Sequence, residues 1–248
     1  MAPPCTRRDL LEWLGRSAVL AVGADLIAAC APLASGAPAT PTVDGAPPAD
    51  AACAAGSAPF RPGDGSAAIF TGWGERTVDE QDLARILAGW RLRVDGMVER
   101  PASYSFADLL CLPRQDQVTD FHCVEGWSIY DVPWAGVHLS RLLDRAGPRR
   151  TATHITLHTI GDGYGESLPL PVALEPRSLV AYAIAGATLP LKHGFPLRMV
   201  VPRLLAYKNP KYVERIELTD HPVDGYWVAA GYPYAGEVPA DRLRAGKW

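Results

Sequence analysis

The residues best suited to chemistry lie between Asp120 and Gly136, where a cysteine, a carboxylate and two tryptophans fall close together. Val118 to Cys123 has the pattern of a strand, so Cys123 would enter a loop rich in glycine and tryptophan and present its sulfur at a pocket edge. A thiolate is a soft ligand for metals that tolerate sulfur. The alternative is a buried structural thiol, because free cysteine is among the most buried residue types.

Other metal-binding patterns are weak. No two of the five cysteines have the spacing C-x-x-C, which excludes zinc ribbons, thioredoxin-type sites and C-x-x-C-H haem attachment. His154 and His158 share one face of a predicted strand without an evident third ligand, so we expect hydrogen-bonded strand histidines rather than a zinc site. Cys53 either carries an incidental thiol or pairs with Cys111, and the sequence leaves both open.

The elements that must position Cys123 are mostly strands. Ser105 and Asp108 form a capping-box pattern for a short helix. Leu139 to Ala146 has the apolar spacing of an amphipathic helix that ends at Gly147. Further strands are predicted over residues 91–94, 153–160, 179–185, 197–201 and 212–218. Because helices are few and irregularly placed, we expect an α+β domain with a mixed, β-rich core rather than a doubly wound sheet.

Composition sets the broad class. The 248 residues include 48% hydrophobic and 21% charged residues, close to the average for globular proteins. The formal net charge of −3 argues against a nucleic-acid partner, because phosphate binding needs a basic surface. The 23 prolines and 23 glycines exceed ordinary usage.

The first thirty residues have the features of an export signal. Arg7-Arg8 resembles a twin-arginine signal, and the apolar run from Ser17 to Ala29 is too short to cross a bilayer. The run ends in a lipobox-like segment, so we expect Cys30 to become a lipidated N-terminus; the alternative is cleavage after an alanine. Residues 31–60 then form an Ala/Pro-rich linker and residues 61–248 the folded domain.

The chain from Trp90 to about Gly231 resembles the sulfite oxidase-type molybdopterin-binding domain. The matching stretches are Arg93 to Gly96, Cys123 to Trp127 with Trp134-x-Gly136, Glu166 to Pro169, His193 to Pro202 and Tyr207 to Leu218. Within that family it is most similar to the branch that contains the catalytic subunit of periplasmic methionine-sulfoxide reductase.

The resemblance implies a molybdenum-molybdopterin cofactor and a set of residues that bind it. Cys123 would be the metal's thiolate ligand, and Arg198 and Lys211 would bind the cofactor phosphate with His193 and Asn209. Ser167 is a weaker candidate contact. Glu125 would either act as an acid or base beside the metal or accept hydrogen bonds from loop amides, and both readings stay open.

The resemblance also implies an exported oxidoreductase that performs two-electron oxygen-atom transfer on a small substrate, with sulfoxide or N-oxide reduction slightly favoured. Val124-Glu125-Gly126-Trp127 replaces the asparagine- and arginine-containing run of sulfite oxidases. Sulfite dehydrogenase is therefore an alternative, and a non-catalytic surface lipoprotein is another. We expect a monomer located in the periplasm or at the cell surface. Its electron partner would be a separate haem protein or a quinone-linked membrane protein.

Overall fold

The computed structural model describes residues 59–64, 77–161 and 164–248. Ten strands and five α-helices occur in these residues. The strands are β1 Leu92–Gly96, β2 Ala102–Tyr104, β3 Arg114–His122, β4 Ser128–His138, β5 His154–Thr159, β6 Gly165–Pro169, β7 Leu179–Ile184, β8 Ala187–Thr188, β9 Arg198–Val200 and β10 Val213–Thr219. The helices are α1 Glu80–Gly89, α2 Phe106–Leu110, α3 Leu139–Ala146, α4 Leu170–Ala173 and α5 Tyr226–Ala229.

The strands form two five-stranded sheets. The first has the order β2-β1-β10-β5-β6, in which only the β1–β10 pair is parallel. The second has the order β3-β4-β7-β8, with β9 also paired to β7, and all of its pairs are antiparallel. Mixed strand directions with a few short helices confirm the predicted α+β class.

The long hairpin of β3 and β4 carries Cys123 at its tip. Gly136 allows β4 to approach β7 closely, since a Cβ at that position would lie 2.1 Å from the carbonyl oxygen of Val180. The glycine of the Trp134-x-Gly136 motif is therefore required by strand packing. The β3–β4 pairing shifts register between Thr119 and Phe121 and ends at the pair His122 and Ser128, next to the hairpin tip.

The predicted helix signals are confirmed. Ser105 and Asp108 form both hydrogen bonds of a capping box at the start of α2. Helix α3 ends at Gly147, which adopts the left-handed conformation at φ +69°. Its apolar stripe is fully buried, and each such leucine contributes about 1.5–3 kcal/mol relative to an exposed one.

Strands β2, β4, β6 and β8 and helices α1, α4 and α5 were not predicted. Residues 128–138 contain Pro133, which is unusual inside a strand. The pairing of β4 with β7 begins at Trp134, one residue after Pro133. The pairing of β4 with β3 has an irregularity close to Pro133, after the pair Thr119 and Val132. A missing N–H is tolerated at such a position, so the strand continues through the proline.

The predicted signal, lipobox and most of the linker lie outside the described residues, as do Cys30 and Cys53. Cys111 is disulfide-bonded. Among the residues that the structure describes, no helix is both long and apolar enough to span a bilayer.

Candidate active site at the tip of the cysteine hairpin

Residues 123–127, here called the cysteine turn, connect β3 to β4. The turn is closed by the Cys123 amide, which donates to the Trp127 carbonyl oxygen at 3.0 Å, and by the Gly126 amide, which donates to the Cys123 carbonyl oxygen at 3.2 Å. The Cys123 thiol is half-buried and is the one free cysteine in the described part of the chain. A cysteine at the end of a strand therefore reaches a partly open surface, as predicted.

Glu125 lies beside the sulfur. Its Oε2 accepts a hydrogen bond from the Trp127 indole at 2.9 Å and is 3.8 Å from Cys123 Sγ. Burial, together with the negative charge of Glu125, raises the pKa of the Cys123 thiol. The carboxylate is thus oriented by an indole N–H and remains exposed to water.

Arg198 lies in the interior behind the turn. Its guanidinium is packed against the rings of Phe121 and Trp134, at 4.9 and 5.0 Å from their centroids, and donates to the carbonyl oxygens of His193 and Asn209. Burial lowers the pKa of Arg198 to about 10, so it stays charged at neutral pH. Because Phe121 precedes Cys123 by two residues in the sequence, the structure joins the cysteine strand to the predicted phosphate-binding group.

Gly194 holds Arg198 and Lys211 close to each other. It has φ +109°, and a Cβ there would lie 3.1 Å from the Cβ of Arg198 and 3.0 Å from the Cβ of Lys211. Arg198 and Lys211 also form an isolated antiparallel bridge. The glycine is therefore needed both for its backbone angle and for this close approach. The two cationic residues that the sequence predicts as phosphate ligands are neighbours in space.

Asn209 and Ser167 are engaged in structural contacts. The Asn209 amide accepts from the Val201 N–H and donates to the carbonyl oxygens of Leu204 and Leu205. Ser167 is buried, and its hydroxyl lies 3.3 Å from the Tyr234 hydroxyl. The Asn209 N–H also donates to the Ala206 carbonyl oxygen at 3.0 Å. Asn209 and Ser167 therefore stay predictions as cofactor contacts, and Ser167 is the weaker of the two.

The strand histidines have hydrogen-bond partners, as predicted. His158 Nε2 lies 2.8 Å from the Glu217 carboxylate, and His154 Nδ1 lies 2.8 Å from the Thr153 hydroxyl. In residues 59–64, 77–161 and 164–248, no group of three or more potential metal ligands is found.

Two functional features were missed by sequence reasoning. Arg242, 119 residues after Cys123, donates hydrogen bonds to the cysteine turn. Lys208 is fully buried and forms an ion pair with Glu166 at 2.6 Å. Both contacts join residues that are far apart in the sequence, so no local sequence motif could predict them.

Comparison with known proteins places these residues in a wider context. The family model described as the oxidoreductase molybdopterin binding domain matches residues 78–227. The uncharacterised oxidoreductase YuiH of Bacillus subtilis (strain 168) is 38% identical over 148 residues, which cover 60% of this chain and 74% of YuiH. The protein-methionine-sulfoxide reductase catalytic subunit MsrP of Gluconobacter oxydans is 35% identical over 155 residues, covering 56% of this chain and 49% of MsrP.

Among solved structures, the sulfane dehydrogenase SoxCD from Paracoccus pantotrophus is similar, with a TM-score of 0.53 and 25% sequence identity. The match covers 61% of this chain and 41% of that chain. The alignment with MsrP spans only about half of that protein's length.

Proposed function

Because the chain belongs to the oxidoreductase molybdopterin-binding domain family, we propose that it performs two-electron oxygen-atom transfer on a small substrate. Membership confirms the predicted fold and the type of enzyme, and the cofactor that this family implies is molybdenum-molybdopterin. The observation that carries the proposal is the half-buried free thiol of Cys123 at the hairpin tip. A soft sulfur donor at this position suits a metal that changes oxidation state by two electrons.

The residues present fit such a cofactor. A pterin phosphate is an anion, and Arg198 and Lys211 supply two cationic residues that both pack against Gly194. Guanidinium and ammonium groups are the usual phosphate donors in proteins. We infer that Cys123 holds the metal and that Arg198 and Lys211, with His193 and Asn209, hold the phosphate. When bound, the cofactor would supply the oxygen-accepting metal and the store of two electrons.

The protein's own groups would then position the substrate and move protons. Reduction of a sulfoxide consumes two electrons and two protons and releases water. Glu125 is suited to deliver protons, because its Oε2 is close to the sulfur and its carboxylate is exposed to water. Trp127 orients that carboxylate through its indole N–H.

The substrate class rests on the relatives. MsrP is by name a protein-methionine-sulfoxide reductase subunit, which favours sulfoxide or N-oxide reduction over sulfite oxidation. Electrons would come from a separate haem protein or a quinone-linked membrane partner. A screen of sulfoxides, N-oxides and sulfite with a reduced or oxidised redox dye distinguishes these substrates, and sulfite oxidation alone would favour the sulfite dehydrogenase alternative.

The compartment is part of the proposal. We expect export through the twin-arginine signal and anchoring through Cys30 to a periplasmic or cell-surface membrane. The disulfide at Cys111 supports an oxidising compartment, because disulfides are rare in the cytoplasm.

Metal content tests the enzyme directly. Protein purified from a host that makes the cofactor should contain close to one molybdenum per chain, measured by elemental analysis. Cys123→Ala should lose most of the metal and all turnover, because the ligand is removed, while circular dichroism and thermal melting stay near those of the wild type. Val124→Ala, at an exposed neighbouring residue, is the matched control.

If wild-type protein from such a host contained no molybdenum, the proposed enzymatic function would be contradicted. The alternative of a non-catalytic surface lipoprotein would then be favoured. Undiminished turnover of Cys123→Ala would remove the ligand assignment alone.

A further inference from the structure

Arg242 connects the C-terminal segment to the cysteine turn. Its Nη1 donates to the Cys123 carbonyl oxygen at 3.0 Å, and its Nη2 donates to the Trp127 carbonyl oxygen at 2.8 Å and to the Ser128 hydroxyl at 3.0 Å. One planar guanidinium thus spans the first and last residues of the turn. The planar fork of arginine allows this two-point contact, which a single ammonium group cannot reproduce.

Arg242 contacts the turn and the first residue of β4. In the described ranges it has no carboxylate within salt-bridge distance, whereas Arg244 pairs with Asp120 and Asp131 and Lys247 pairs with Asp131. Arg242 therefore hydrogen-bonds to the turn, while Arg244 and Lys247 attach the C-terminal segment to β3 and β4.

The location of Arg242 is independent of the family motifs. The family match ends at residue 227, fifteen positions before Arg242. Arg242 therefore lies outside the part of the chain that matches the family, although it contacts the residue on which the proposed chemistry depends.

We propose that Arg242 is a positioning residue that fixes the geometry of the cysteine turn, so that Cys123 Sγ is presented to the metal in one orientation. The turn has two backbone hydrogen bonds of its own, and the guanidinium adds two charge-assisted bonds to the same carbonyl oxygens. A ligand sulfur must be held accurately for a metal to bind in the productive geometry. The inference rests on the proposed function insofar as Cys123 is the metal ligand.

Hydrogen–deuterium exchange on cofactor-free protein tests the positioning directly. In Arg242→Gln, the amides of Cys123 and Gly126 should exchange about tenfold faster or more, because hydrogen bonds from a charged group are lost. Lys247→Gln is the matched control, since it removes one positive charge from the same segment without touching the turn. Arg242→Lys retains the charge but not the fork, and should restore less than half of the lost protection.

The holoprotein provides a second readout. In Arg242→Gln, the visible absorption band of the metal–thiolate bond should shift, and the bound molybdenum per chain should fall, while Lys247→Gln keeps both. Exchange at the wild-type rate in Arg242→Gln would overturn the inference, as would equal acceleration in Lys247→Gln. If Arg242→Gln does not fold, Arg242→Lys is measured in its place, and wild-type exchange and an unshifted band there would overturn it. Wild-type protein that never binds molybdenum would overturn the proposed function but leave the exchange result intact.

Discussion

The buried ion pair of Glu166 and Lys208 shows how much the site depends on single side chains. Both side chains are almost completely excluded from water, with Nζ and Oε1 2.6 Å apart, and Nζ also donates to the Ser167 carbonyl oxygen at 2.8 Å. Burial raises the pKa of Glu166 and lowers that of Lys208, each partner opposing the shift of the other. Because Lys208 directly precedes Asn209, the pair fixes the backbone next to one of the predicted phosphate-binding residues.

Breaking this pair should be costly. Lys208→Met leaves the Glu166 carboxylate buried without its cation, which we expect to lower the free energy of unfolding by about 3–5 kcal/mol. Glu166→Gln combined with Lys208→Met removes both charges and should recover much of that loss. Urea unfolding of the two variants measures the difference. A Lys208→Met variant as stable as the wild type would show that the pair contributes little.

At the scale of elements, the sequence predicted those features that depend only on neighbouring residues. The capping box of Ser105 and the left-handed Gly147 depend on neighbours within four residues, so they could be read from the sequence. The continuation of β4 through Pro133 depends on how β4 pairs with β3 and β7, and a short stretch of sequence does not reveal that pairing. The family motifs predicted Cys123, Arg198 and Lys211, whereas Arg242 contacts the site only after the chain has folded back.

The attachment of the C-terminal segment to β3 predicts a pH dependence. Burial opposes charge on Asp120, but hydrogen bonds from Arg244 and from the Asp131 N–H outweigh it and hold the pKa of Asp120 below its ordinary value of 3.8. The pair therefore stabilises the fold fully above pH 3.8, and this contribution is lost as the pH falls through the lower, folded-state pKa. Asp120→Asn should cost about 1–3 kcal/mol at neutral pH.

The same variant should also show a flatter stability curve below about pH 4 than the wild type, because one acid-sensitive group is gone. Thermal melting between neutral and acidic pH measures both effects, and Asp144→Asn, at an exposed carboxylate with no ion pair among the described residues, is the control. Parallel curves for the wild type and Asp120→Asn would contradict the assignment.

At the scale of the whole molecule, the described domain provides a site and the N-terminal sequence predicts where that site operates. The turn around Cys123 opens to the surface, and a free thiol in an oxidising compartment is protected when a metal binds it. Cys111, by contrast, is disulfide-bonded. Export of a folded, cofactor-loaded protein would reconcile these two facts, since the metal would bind Cys123 before the chain meets oxidant.

The anchor can be tested on the full chain. If Cys30 is the lipidated residue, Cys30→Ser should move the protein from the membrane fraction to the soluble fraction, because durable binding needs acyl chains. Cell fractionation and mass spectrometry of the mature N-terminus measure this, with Ser35→Ala as the control that changes the neighbouring linker and keeps the lipobox. Replacing Arg7-Arg8 by two lysines should separately block export and leave the loaded enzyme in the cytoplasm. Membrane association that persists in Cys30→Ser would exclude Cys30 as the anchor.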